Sequence, residues 1–315
     1  MTKSYTLNDG SQIPSLGFGT GTALYGKDAA DFVRVAIENH ITHLDGAQMY
    51  RNEETLGAGI KASGKPRSEL YVVTKLATLN PGQTIKESLE GSLAKLGLDY
   101  VDLFLIHTPA QGRKEKNLSQ FWAGMEEVKQ AGLAKSIGVS NFYVEDLKVI
   151  LETAKIVPSV NQVGQFILIA AYADFWIFLH QIEFHPYVYK AAEPTIKFCQ
   201  DHGILLESFG GQTPIVRVKD GPIDPVVATI RERLEKTRGG PVSTGQVLSK
   251  WILSKNAVVI TWVTLPLPWF LIDWPVELQH NLQTIPYTRI SRHWKRPRFN
   301  CRRSWCYRSS RRQVT

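Results

Sequence analysis

Leu70-Tyr-Val-Val-Thr-Lys-Leu76, a helical stretch over Thr84 to Leu96, and Val101-Asp-Leu-Phe-Leu-Ile-His107 follow one another in the chain and decide its fold. The outer two segments are short apolar runs rich in β-branched residues, and the middle one repeats its apolar positions at helical spacing. A strand, a helix and a second strand about 30 residues after the first form one βαβ unit. Strands joined through a helix lie parallel. Each strand also carries a chemically useful side chain at or next to its end, Lys75 in one and His107 in the other.

The same rhythm extends in both directions. Leu16 to Gly19, Thr42 to Ala47, Ser136 to Asn141, Ser159 to Gln162, Ile204 to Phe209 and Val258 to Thr261 read as further strands, eight in all. Asp28 to Asn39, Glu53 to Ser63, Ser119 to Ala131, Val144 to Thr153, Ala192 to His202 and Pro225 to Lys236 read as helices, with Ser119 and Pro225 at start positions. Eight such alternations predict an α/β fold, a closed (β/α)8 TIM barrel over residues 1–261. Ahead of it, Tyr5 to Ile13 is two short alternating runs around Asp9-Gly10, which predicts a hairpin plugging the N-terminal end of the barrel.

Two segments interrupt the rhythm. Val163 to Gln181 reads VGQFILIAAYADFWIFLHQ, 19 residues set between Asn161-Gln162 and Ile182-Glu-Phe-His-Pro186. As a membrane hairpin it is marginal, because it holds Asp174 and Gln165. As an insertion it would simply be buried. As translated intron codons it can begin on GT, from Val-Gly, and end on CAG, from Gln; we favour this third reading because excision restores an unbroken strand. The second break starts at Trp262, after which five of the eight Trp and two of the three Cys fall within 54 residues, among Arg pairs and with little period. Residues 262–315 are expected to form no folded domain and to replace the last barrel helix and the C-terminal loop, as a frameshifted or unspliced reading would.

Composition narrows the function. With 315 residues, 43% hydrophobic and 21% charged, the chain can bury a sizeable core and is neither collagen-like, wholly disordered nor a coiled coil. Its formal charge of +8 suggests nucleic acid until it is divided: Met1 to Thr261 holds 27 basic and 27 acidic residues, and the excess lies entirely in the tail, with 10 against two. Arg and Trp together can stack on nucleic acid, but the neutral body argues against such a partner. Cys199, Cys301 and Cys306 make no disulfide framework and no leader follows Met1, so a cytoplasmic protein is expected. Cys199 reads as a small buried hydrophobe. No membrane partner is expected, and a monomer is the expected state.

Active sites of this fold form where strands end. Asp45, Lys75, His107, Ser140, Asn141, Gln162 and Glu207 all stand at or near such ends. Three of them, Asp45, Lys75 and His107, end successive strands, and Tyr50 follows Asp45 by five residues. A phenol is a weak acid, near pKa 10, unless a cation within about 4 to 6 Å stabilises its phenolate. Lys75 is the available cation, and Asp45 the carboxylate that keeps it charged inside a barrel. The expected relay runs from Asp45 to Lys75 to Tyr50, which gives a proton to an oxygen turning negative while His107 hydrogen-bonds that oxygen. No metal-ligand cluster, Gly-x-Ser-x-Gly elbow or nucleophile–base pair accompanies them, so the attack on carbon falls to a cofactor hydride.

The contexts of these residues resemble the aldo-keto reductase family. Leu44-Asp-Gly-Ala-Gln-Met-Tyr-Arg-Asn-Glu-Glu54 with Leu56-Gly57 is similar to its first signature, Val72-Val-Thr-Lys-Leu76 to its lysine strand, Leu105-Ile-His-Thr-Pro109 to its histidine strand and Gly138-Val-Ser-Asn-Phe142 to its carboxamide loop. The resemblance covers Tyr5 to Thr261 apart from the insertion. It implies reduction of a small-molecule aldehyde or ketone to an alcohol with NADPH, giving NADP+, and catalytic roles for Asp45, Tyr50, Lys75 and His107. It further implies that Ser140, Asn141 and Gln162 hold the nicotinamide carboxamide, that Phe209 stacks on the ring in place of the usual tyrosine, and that Gly19 and Thr20 border the ribose. Gly210 to Pro214 would cross the pyrophosphate. After the eighth strand the family's Lys-Ser and downstream Arg, which hold the 2′-phosphate, give way to Trp262-Val-Thr-Leu-Pro, so NADH is not excluded. Two readings stay open: an active carbonyl reductase, or a catalytically impaired barrel that only binds nucleotide.

Overall fold

The hairpin forms where Asp9-Gly10 was expected to turn the chain. In the computed structural model, which describes residues 3–163, 184–218 and 220–261, β1 (Ser4–Thr6) pairs antiparallel with β2 (Gln12–Pro14). Gly10 takes φ +86, a left-handed value that costs glycine little. Leu7 and Ile13 are buried and join a core with Leu103, Leu105, Val160 and Val258 from the barrel interior. Around them, Asp9 accepts hydrogen bonds from Lys129 Nζ at 2.6 Å and Ser136 Oγ at 2.8 Å, and Asn8 donates to the Pro158 carbonyl at 3.0 Å. These partners lie near strand starts, so the hairpin closes the N-terminal end of the barrel.

Eight parallel strands close the barrel. They are β3 (Leu16–Gly19), β4 (His43–Asp45), β5 (Tyr71–Leu76), β6 (Val101–Ile106), β7 (Ala134–Ser140), β8 (Val160–Val163), β9 (Leu205–Ser208) and β10 (Ala257–Thr261). Each pairs with its successor, and β10 returns to pair with β3. β5 and β6 are buried along their whole length, as strands covered by helices outside and packed inside must be.

The helices are α1 (Ala30–Glu38), α2 (Glu53–Ala62), α3 (Ile85–Leu96), α4 (Ala110–Glu115), α5 (Leu118–Gln130), α6 (Val144–Leu151), α7 (Tyr189–Asp201), α8 (Thr213–Val216), α9 (Asp224–Arg238) and α10 (Thr244–Leu253). Three of them, α4, α8 and α10, were not expected. α10 had a signal in the sequence: Ser243 Oγ accepts from Gln246 N at 3.1 Å and Gln246 returns the bond to Ser243 N at 2.8 Å, a capping box of the Ser-x-x-Gln type. α4 and α8 are too short to show a helical period.

Val163, assigned from sequence to the first position of the insertion, is the last residue of β8. It pairs with Ser208, and its carbonyl accepts from Phe209 N at 2.9 Å. The rest of the expected insertion and the 262–315 tail lie outside the described residues. Among the described residues no helix is long and apolar enough to cross a membrane.

Ile13 has no exposed surface and sits where hairpin meets barrel. Ile13→Ala is expected to lower unfolding free energy by about 2–4 kcal/mol, read from the urea midpoint; an unchanged midpoint would mean the hairpin does not contribute to the core.

Candidate active site

Lys75 on β5 points inward and has no exposed surface. Its ammonium donates to Asp45 Oδ1 at 2.6 Å, to the Gly46 carbonyl at 2.8 Å and to Tyr50 Oη at 3.5 Å. All three protons are thus committed, and the cation also lies 5.0 Å from the Tyr50 ring centre. Burial works against the charge, but the fields of Asp45 and Tyr50 and the bond to Asp45 leave Lys75 above its ordinary pKa.

Tyr50 ends a one-turn 3-10 helix, Gln48–Tyr50, and is 1% exposed. Its loop is tied to the one after β3: the Gly26 amide donates to the Tyr50 carbonyl at 2.8 Å, while Asn52 Nδ2 donates to the carbonyls of Thr20 and Leu24, each at 2.8 Å. A Cβ on Gly21 would come within 2.9 Å of Tyr50 Cζ, so only glycine lets that backbone lie against the ring. His107, just past β6, meets Tyr50 edge to face at 5.5 Å and 85°.

The electrostatics differ from the expectation that Lys75 makes Tyr50 a stronger acid. Desolvation outweighs the ammonium, and Tyr50 is pushed up to about 12. Full burial removes the water that would solvate the phenolate, and Lys75 offsets only part of that loss. His107 is held down to about 3 by burial and by the Lys75 charge, so its imidazole is neutral. Its Nδ1 is buried without a hydrogen-bond partner among the described residues.

The other expected residues cluster nearby. Ser140 Oγ donates to the Gln162 carbonyl at 2.8 Å and accepts from Asn141 Nδ2 at 3.0 Å, and that same Nδ2 donates to the His107 carbonyl at 2.9 Å. Asn141 Oδ1 is buried and has no partner among the described residues. An unmet acceptor there fits an amide N–H arriving from a ligand. Gln162 Nε2 donates to Asp45 Oδ2 at 2.8 Å and to Glu207 Oε2 at 2.9 Å, which leaves its carbonyl oxygen as the atom with which to meet an amide. Thr20, beside Gly19 at the end of β3, donates from its backbone N–H to the Asp45 carbonyl at 2.9 Å. Phe209 follows β9 and packs into the core cluster. In the following turn, a Cβ on Gly211 would overlap Ile252 of α10, so this glycine serves the packing of the protein itself.

Gly21 and Asn52 escaped the sequence reading because their partners are set by how two loops meet, which no local spacing reports. His43 is the first residue of β4, at the end of the strand away from the site, so no strand-end position singles it out. Glu207 stands near a strand end, and nothing in its local sequence ties it to a role. No group of three or more metal-ligating side chains occurs among the described residues. Cys199 is buried and free, and burial pushes its thiol up to about 11, in keeping with a packing role.

A family model described as the Aldo/keto reductase family matches residues 15–210. An NAD/NADP-dependent indole-3-acetaldehyde reductase of Schizosaccharomyces pombe is 37% identical, over 80% of this chain and 82% of that protein. An NADPH-dependent alpha-keto amide reductase of Saccharomyces cerevisiae is 30% identical, over 82% and 80%. Among solved structures, a Bombyx mori aldo-keto reductase in complex with NADP matches with a TM-score of 0.65 at 29% identity, covering 84% of each chain.

His107 also sets a pH limit on the fold. The unfolded chain binds a proton on this residue below about 6.5, whereas the folded protein refuses it until about 3. Stability present at neutral pH is therefore lost as the pH falls from 6.5 toward 3. Urea midpoints between pH 7.5 and 4.5 are expected to fall less steeply for His107→Asn than for the wild type, and equal slopes would contradict the assignment.

Proposed function

The chain belongs to the aldo/keto reductase family and is an NAD(P)H-dependent oxidoreductase, and on that premise we propose that it reduces a small aldehyde or ketone to the alcohol, with Tyr50 as proton donor and NADPH as the hydride source. Bound NADPH supplies a hydride to the carbonyl carbon. The oxygen of that carbonyl then needs a proton, and the observation that carries this reading is the convergence of Lys75 Nζ and His107 on one buried phenol.

His107, neutral, donates a hydrogen bond through a ring N–H to the carbonyl oxygen and orients it beside Tyr50. Tyr50 transfers its proton to that oxygen as negative charge develops. A phenol at about 12 stays protonated throughout the neutral range and is still a far stronger acid than the alcohol being formed, so the transfer runs downhill. The phenolate left behind faces the Lys75 ammonium, which Asp45 holds in place; Tyr50 then recovers its proton from solvent. A raised pKa thus costs some driving force but keeps the donor loaded.

The unmet Asn141 Oδ1, with Ser140 and Gln162, supports a carboxamide site, and we assign the nicotinamide ring to Phe209 and its ribose to the Gly19–Thr20 edge. NADH is a second hydride source in this proposal, because the residues after Thr261 lack the expected 2′-phosphate clamp. The cytosol is the proposed compartment, in line with the free thiol of Cys199.

The test is NADPH oxidation by the full chain with a simple aldehyde, followed at 340 nm. Tyr50→Phe is expected to lose roughly 10²- to 10⁴-fold in kcat while still enhancing NADPH fluorescence. Wild-type-like turnover by this variant would sink the proton-donor role. Nucleotide fluorescence with no turnover by the wild type would favour the impaired, binding-only barrel.

A further inference from the structure

Beside the Lys75 site in the barrel interior, two fully buried titratable groups take no part in the mechanism above: His43 on β4 and Glu207 on β9. β10 and β3 stand between β9 and β4, and β3 carries Gly17, where a Cβ would come within 3.0 Å of His43 Cγ. His43 Nδ1 lies 3.1 Å from the Pro14 carbonyl. A carbonyl oxygen only accepts, so Nδ1 carries the hydrogen and Nε2 of the neutral ring carries a lone pair. That Nε2 stands 3.6 Å from Glu207 Oε1, and neither atom has a hydrogen-bond partner among the described residues. Two buried lone-pair atoms 3.6 Å apart repel each other unless one carries a proton directed at the other.

Glu207 Oε2 accepts from Gln162 Nε2, and the same nitrogen donates to Asp45 Oδ2. Hydrogen bonds run from Glu207 through Gln162, Asp45 and Lys75 to Tyr50, and the His43 ring stands next to their far end. We propose that Glu207 and His43 are positioning residues for proton donation by Tyr50, sharing a single proton that keeps the barrel interior neutral around the Lys75–Asp45 pair. This deepens the proposed function and rests on Tyr50 being the donor.

The charges facing Glu207 decide where that proton sits. His43 and Asp45 face it from β4, Lys75 and Tyr71 from β5, and Tyr50 from the loop after β4; Gln162 on β8 is neutral and Val258, its neighbour on β10, is apolar. Asp45 already neutralises Lys75, so a second carboxylate charge has no counter-ion. Burial and the charge of Asp45 push Glu207 up to about 8, while burial holds His43 down to about 4. The proton therefore rests on Glu207 near neutrality. Its loss at mildly alkaline pH adds a negative charge whose field disfavours the Tyr50 phenolate, which slows proton donation. Glu207→Gln keeps a donor for His43 and an acceptor for Gln162 but cannot ionise.

The experiment uses the full chain and two readouts. The first is kcat/KM for NADPH-dependent aldehyde reduction from pH 6 to 9.5. Wild type is expected to drop by roughly three- to tenfold around pH 8, the effect of about half to one unit of donor acidity, and E207Q to lack that step whatever its rate at neutral pH. The second is the ring-nitrogen NMR signal of His43 in protein without nucleotide, assigned with His43→Gln. It is expected to shift with a midpoint near pH 8 in wild type and stay flat in E207Q. A flat His43 signal in wild type, or the same alkaline step in both proteins, overturns the pair. If those results coincide with an inactive Tyr50→Phe, the donor assignment stands without it; full activity of Tyr50→Phe sinks the donor instead.

Discussion

The contact between the Lys75 ammonium and the Asp45 carboxylate is the constraint around which the barrel interior is organised. Each ion loses several kcal/mol of hydration on burial, and only close geometry with further hydrogen bonds compensates. Here the ammonium spends one proton on Asp45, one on Gly46 and one on Tyr50. With the two charges cancelled locally, any other ionised group nearby raises the energy of the whole interior. Burial accordingly holds His43 and His107 neutral and raises Glu207 and Tyr50. Burial sets the protonation state of these four side chains, and the fields of the ion pair modify it.

Architecture explains why those side chains are buried. The β1–β2 hairpin closes the N-terminal end by packing Leu7 and Ile13 into the interior core with Leu103, Leu105, Val160 and Val258. The same closure strengthens the fields that act on the site and weakens Tyr50 as an acid. Stability and chemistry pull in different directions at this phenol. In the proposed reaction the proton stays on Tyr50 until a stronger base is present, and Lys75 beside it limits what the transfer costs.

Close packing of loops completes the site. Gly21 lies on the Tyr50 ring, and Asn52 ties the loops after β3 and β4 together through two backbone carbonyls. Neither residue touches the chemistry directly, yet both determine where the phenol points. Gly211 shows the same constraint in the turn after β9, where a Cβ would overlap Ile252 of α10.

The strand–helix alternation, the hairpin turn at Asp9-Gly10 and the strand-end positions of Asp45, Lys75 and His107 were legible in the residues themselves. Each of these depends on local periodicity or on a turn that only a few residue types make. The short helices α4 and α8 were not, since they span too few residues for a period to appear, and the boundary at Val163 depended on its pairing with β9. Which way the Tyr50 pKa moves, and that Glu207 meets His43 across the barrel, belong to the tertiary structure alone. Both follow from how much water the closed barrel excludes and from which side chains, distant in sequence, it brings within a few ångströms of one another.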